Sequence, residues 1–300
     1  MKNSATYRTL GVVCAIGGVL AFSVKAVVAK LMYRHGIDAV TLMAMRMSIA
    51  LPVFLGIGLW IARHTAAPPI ARREWGTMIA IGLTGYYAAS FLDFIGLQYV
   101  TAGIGRLILF AYPTITVALS ALFLKRRVTR AEVMALLITY AGVALVLSNA
   151  VGGQQSNLPL GATLITGAAF FTAAFLVWSA ESIRRVGSMR FTSYAMSLAA
   201  LPSILQFPLL RPWSALDLPL EAWGLAAVLS LVCTVLPLFL TAEALRRVGA
   251  NQVALFGALG PVMTILISNA VLGESMQALQ WAGALLVMAG VALVTMRPSR

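Results

Sequence analysis

Four basic residues lie where an apolar chain rarely carries them. Lys25, Lys30, Arg46 and Arg106 all fall inside long hydrophobic runs. A cation at the centre of a membrane helix costs about 2.5–3.5 kcal/mol on insertion scales, so such residues usually bind something. At 1.5 Å per residue, Lys25 and Arg46 each lie about 10 Å in from the nearer end of their runs. Long side chains snorkel towards water. That accounts for Lys30 and Arg106, which lie nearer an end, better than for Lys25 and Arg46. The chemistry these cations offer is reception of a carboxylate or phosphate. Lys25 and Lys30 are about 140° apart around one helix, so both cannot face one cavity squarely.

Polar residues inside the other runs point to the same chemistry. Tyr86, Ser90 and Asp93 follow i, i+4, i+7 and share one helical face. Ser230, Thr234 and Thr241 form a second stripe further on. Two such faces are expected to line one central pathway. The plainer alternative is back-bonding of the hydroxyls to helix carbonyls. Thr163, Phe170, Trp178 and Glu181 share roughly one face, and Phe110 and Tyr112 precede Pro113. The expected substrate site is therefore Lys25, Arg46, Tyr86, Ser90, Tyr112, Trp178 and Thr234. Asp93 and Glu243 are candidates for proton coupling. For Glu181 and Glu243, pairing with Arg184, Arg185, Arg246 or Arg247 is the plainer expectation. Pro113 and Pro261 are expected to kink their helices.

Other chemistries find little support. Cys14 and Cys233 lie inside apolar runs without metal-ligand spacing, and His35 and His64 lie near run ends. No H-x-x-E-H or G-x-S-x-G pattern occurs, and neither Gly17-Gly18 nor Gly152-Gly153 is followed by G-K-[ST]. No catalysis, metal or cofactor is expected. The net charge of +13 is scattered through short connections, so nucleic acid is not an expected partner.

The elements that position these residues are membrane helices. The chain is 60% hydrophobic and 10% charged, with a mean hydropathy of +0.91. Soluble domains are near 25% charged, and no soluble core of 300 residues buries this much apolar surface. The expected partner is a lipid bilayer. Spans are expected at 8–32, 39–61, 74–96, 101–123, 130–149, 159–183, 190–210, 222–245, 251–272 and 276–296. The breaks at 97–101 and 246–250 are short, so eight or nine spans remain open. Positive charge prefers cytoplasmic connections. With ten spans and an internal N-terminus, the external connections hold only Arg34 and Arg211 among the Lys and Arg residues. Both termini are therefore expected in the cytoplasm.

A repeat divides the chain. Shifting 97–146 by 148 positions onto 245–294 aligns Pro113 with Pro261, Thr116 with Thr264 and Ser120 with Ser268. It also aligns Ala141–Val146 with Ala289–Val294. Earlier in the chain, a shift of 150 pairs Ala50-Leu51-Pro52 with Ala200-Leu201-Pro202. Five spans per half is an odd number, so the second half enters from the opposite side. The expected fold is all-α and integral to the membrane. It has ten transmembrane helices in two inverted five-helix repeats, 1–150 and 151–300.

The segment 245–294 carries a proline, then Leu272-Gly273-Glu274, then a closing Ala-Gly-Val-Ala-Leu-Val. With Lys30, Gly36 and Arg46, these residues resemble the EamA-type branch of the drug/metabolite transporter superfamily. The first half departs from the pattern, with Leu124-Lys125-Arg126 in place of Leu-Gly-Glu. The resemblance implies a central cavity between the halves. It also implies export of amino acids and related metabolites across a bacterial inner (cell) membrane. Within the family the chain looks most like YddG-type aromatic amino acid exporters. A monomer working by alternating access is expected. Carriage of drugs or of anionic metabolites such as sugar phosphates is the alternative, and a channel or membrane enzyme is a more distant one.

Overall fold

The computed structural model describes residues 4–64, 69–123, 125, 128–148, 155–248, 253, 256–257 and 259–295. Among them there is helix and no strand. Leu124, Arg126, Arg127 and the pair Gly152-Gly153 lie outside the described residues, as do both termini and the side chain of Arg246.

Among the described residues, eight helices are long and apolar enough to cross a membrane. We label them α1 (Tyr7–Arg34), α2 (Ala39–His64), α3 (Arg72–Tyr99), α4 (Ala102–Phe123), α5 (Arg130–Ser148), α6 (Leu158–Ser179), α7 (Ser188–Leu210) and α8 (Leu220–Ala244). Two shorter apolar helices follow, α9 (Gly260–Leu272) and α10 (Ala278–Leu293). The ninth expected span began at 251, whereas the described helix begins at Gly260.

Local chemistry sets the helix boundaries. Asp38 caps α2, its Oδ1 accepting from the amides of Val40 and Thr41 at 2.8 and 2.9 Å. Thr129 and Glu132 form a reciprocal capping box at the start of α5. At the equivalent place before α10, Gln280 Oε1 accepts from the amide of Gln277 at 2.9 Å. Gly273 ends α9 in the left-handed region at φ 71°. Its counterpart under the 148 shift is Lys125, which adopts φ 52° with a side chain in place. A left-handed non-glycine costs about 1–2 kcal/mol. Lys125→Gly should therefore raise stability by about 1 kcal/mol, part of the gain being lost to the freer unfolded chain. Reversible unfolding in mixed micelles checks this.

Pro113 and Pro261 do not bend continuous helices. Helix α4 is broken at Phe110–Ala111, and its second part, Tyr112–Phe123, starts with Pro113 as its second residue. Pro261 likewise is the second residue of α9. A proline in the first turn lacks an amide that would have had no partner there anyway, so it starts a helix well. The expected kinks are thus helix starts.

Helices α3 and α8 each contain a π-helical stretch, Gly82–Ala88 and Val228–Val235. The 148 shift places one almost on the other. Each adds a wide turn that no sequence motif announced.

The halves exchange helices. Helix α1 packs on α8 and α9, while its counterpart α6 packs on α3 and α4. Helix α2 pairs with its counterpart α7, and α5 with α10. Every large contact is thereby repeated when the halves are interchanged. The α5–α10 pair approaches at backbone distance. A Cβ added at Gly142 would lie 2.7 Å from the Gly283 carbonyl oxygen, and one at Gly283 2.8 Å from that of Gly142. Small residues permit this contact, which apolar lipid does not itself drive.

Candidate functional site

Four helices bring their intramembrane charges into one neighbourhood. Lys25 Nζ on α1 donates to Asp93 Oδ2 on α3 at 2.8 Å, and both side chains are buried. Arg46 from α2 is 3% exposed and Arg106 from α4 is 8% exposed. Asp93 lies within electrostatic reach of all three cations. Two phenylalanine rings contact those cations. Lys25 Nζ lies 4.6 Å from the Phe94 ring centroid and 5.7 Å from that of Phe22. The Arg46 guanidinium lies 5.0 Å from the Phe94 centroid, and that of Arg106 lies 4.1 Å from the Phe22 centroid. Ring faces attract cations, so these rings hold like charges apart and in place.

The sequence dictates much of this arrangement. Phe22 and Lys25 are three apart and share a face of α1, and Asp93 and Phe94 are adjacent on α3. The Ser230 hydroxyl of α8 donates to the Arg46 carbonyl at 3.0 Å, fixing α2 against the other half. Hydrogen bonding is left incomplete. Buried Arg46 Nε and Arg106 Nε have no partner among the described residues, and Arg46 finds only Met43 Sδ at 3.4 Å. A buried donor without an acceptor is costly, and guanidinium groups suit carboxylates and phosphates.

The remaining expected residues divide. Tyr112 lies within electrostatic reach of Arg106 and makes an edge contact with Phe110 at 6.1 Å. Ser90 is half-buried one turn before Asp93. Tyr86 packs on Phe175 at 4.8 Å, about two turns from Asp93. The Thr234 hydroxyl donates to the Leu229 carbonyl at 2.8 Å, the back-bonding alternative. Trp178 is 47% exposed and packs edge-on against Phe123, itself exposed, so it is not brought to the cluster. Glu243 pairs with Arg247, and Glu181 with Arg184 and Arg185, as plain helix-end ion pairs. Among the described residues no group of His, Cys, Asp or Glu is placed to hold a metal ion. Phe22, Phe94 and the Lys25–Asp93 contact were not foreseen. Only the three-residue spacing of Phe22 and Lys25 signalled any of them.

One end of the bundle is closed over this cluster. Glu274 Oε2 accepts from the Ala102 amide at 2.8 Å, capping α4 from the other half. Arg34 donates to the Leu272 carbonyl at 2.8 Å, and Arg211 pairs with Asp38. Beneath them Val27, Met32, Leu42, Met43, Ala226 and Leu229 pack into one buried cluster from both halves. Burial pushes the Asp38 carboxyl up, but Arg211 and the Thr41 and Val40 amides outweigh it and hold it below its ordinary value. A depressed carboxylate contributes stability that is present above its unfolded value and is lost as pH falls through its folded value. We expect this end to loosen in acid below the ordinary carboxylate range. Asp38→Asn should flatten that pH dependence, read by the labelling rate of a cysteine placed at Ile37.

Known proteins match this architecture throughout. A family model described as the EamA-like transporter family matches residues 9–148 and 159–296. The uncharacterized transporter YcbK of Bacillus subtilis is 26% identical over 286 residues, covering 91% of this chain and 88% of the relative. A probable amino-acid metabolite efflux pump of Salmonella typhimurium is 26% identical over 223 residues, covering 71% of this chain and 74% of its own length. A solved crystal structure superposes with a TM-score of 0.66 at 19% identity, covering 95% of this chain and 96% of that one. That likeness is one of fold. With two matches that together span nearly its whole length, the chain belongs to the EamA-like transporter family.

Proposed function

We propose that the chain is a secondary transporter that exports amino acids and related small metabolites by alternating access. The buried cluster of Lys25, Arg46, Arg106 and Asp93 carries this proposal, because ionisable groups inside membrane helices mark substrate and ion paths. A substrate carboxylate would meet the guanidinium groups, and an apolar or aromatic side chain would meet Phe22 and Phe94. The halves 1–150 and 151–300 would be inverted in the inner (cell) membrane, with both termini cytoplasmic and the monomer as the working unit. The printed name of the Salmonella relative supports metabolite efflux. Asp93 is the candidate for proton coupling, since it is the carboxylate facing the cluster.

Purified protein in liposomes, given labelled amino acids with and without a proton gradient, provides the test. Saturable flux that disappears in Arg46→Gln is the expected result. Absence of flux for every amino acid would remove that substrate class. Carriage of anionic metabolites is the alternative, and one observation favours it. Three buried cations face one buried carboxylate, which gives the cluster an excess of positive charge.

A further inference from the structure

The geometry points to a substrate with two separated acidic groups: a small diacid whose ends meet Arg46 and Arg106 and whose spacer lies along Phe94 and Phe22. This inference rests on the proposal that the cluster receives the substrate, and it names the chemical class. The cations do not converge on a point. Arg46 lies over Phe94, Arg106 lies over Phe22, and Lys25 lies between the two rings. Lys25 is within electrostatic reach of both arginines, and each arginine lies over a different ring. A single phosphate or lone carboxylate would satisfy one guanidinium and leave the other unmatched.

Charge balance agrees. Lys25 already holds Asp93 at 2.8 Å, so the unmatched charge is that of the two arginines. Both are more than nine-tenths buried, and each has an Nε without an acceptor among the described residues. Two acidic groups cancel both charges and fill both vacant acceptor positions. The rings between the arginines are apolar, which suits methylene groups in the spacer better than hydroxyls.

The two ends belong to different helices of the same half. Arg46 projects from α2 and Arg106 from α4. The corresponding positions in the second half are Met196 and Ala254, neither of which carries a charge.

The test needs no variant to begin. Purified full-length protein in detergent is heated with straight-chain α,ω-diacids of increasing length, with monoacids of the same lengths, with inorganic phosphate and with phenylalanine. A diacid of one preferred length should raise the unfolding midpoint at concentrations at least tenfold below those needed for its monoacid. Arg46→Gln and Arg106→Gln should each bring that diacid to the monoacid level. Arg46→Lys and Arg106→Lys should restore part of the difference. Equal potency of monoacids and diacids would overturn the inference, as would phosphate or phenylalanine matching the best diacid. Liposome flux separates the two proposals. Amino acid export without any diacid effect removes the diacid and keeps the transporter. Diacid binding without flux of any solute removes the transporter and keeps the site.

Discussion

Asp93→Ala should destabilise the protein by about 3–5 kcal/mol, the range for removing one partner of a buried ion pair. Its carboxylate is the counter-charge within reach of Lys25, Arg46 and Arg106. Without it, three buried cations are left with the two phenylalanine rings and weak acceptors such as Met43 Sδ. Each ring contact is worth about 0.5–2 kcal/mol, too little to replace an ion pair and its hydrogen bond. Lys25→Met should be milder, because Asp93 then remains near two arginines. The double variant Lys25→Met with Asp93→Leu should recover most of the stability, since an apolar pair of similar volume often matches a buried ion pair. It should nevertheless fail to transport if the pair belongs to the substrate path. Denaturant titration of the four proteins in bicelles measures the cycle. An Asp93→Ala protein as stable as the original would mean that water, not Asp93, compensates the cations.

The second large effect is purely steric. Gly290→Ala should cost about 1–3 kcal/mol, the usual range for overpacking a filled interface. The new Cβ would lie 2.2 Å from Thr139 Oγ1 and 2.8 Å from both Thr139 N and the Ala135 carbonyl oxygen. A hydroxyl can turn away, but the two backbone atoms move only if α10 leaves α5. Thr139→Ala should therefore rescue little. Gly224→Ala is the control, because its Cβ meets nothing within 4 Å. That change should be neutral or gain up to about 1 kcal/mol of helix propensity. Equal unfolding midpoints for the two alanine variants would contradict the close approach.

Hydropathy made the helices legible, and the repeat showed which of them correspond, but not which of them pair. Long-range partners were another matter. Lys25 and Asp93 are 68 residues apart, and Glu274 caps Ala102 from 172 residues away. Periodicity says which face of a helix is polar but not which other helix meets it. Trp178 illustrates a further limit. In water an aromatic stripe points inwards, whereas in a bilayer lipid and cavity accept the same side chains. Its place in a stripe therefore fitted either side, and the structure puts it on the exposed one. The π turns left no trace in the sequence because they satisfy the backbone with ordinary residues.

Those two wide turns are shared where the charges are not. Gly82–Ala88 and Val228–Val235 occupy nearly matching places in the two halves. The counterparts of Lys25, Arg46, Asp93 and Arg106 are Phe175, Met196, Thr241 and Ala254. The two halves therefore agree in how their backbones turn and differ in the charges that they carry.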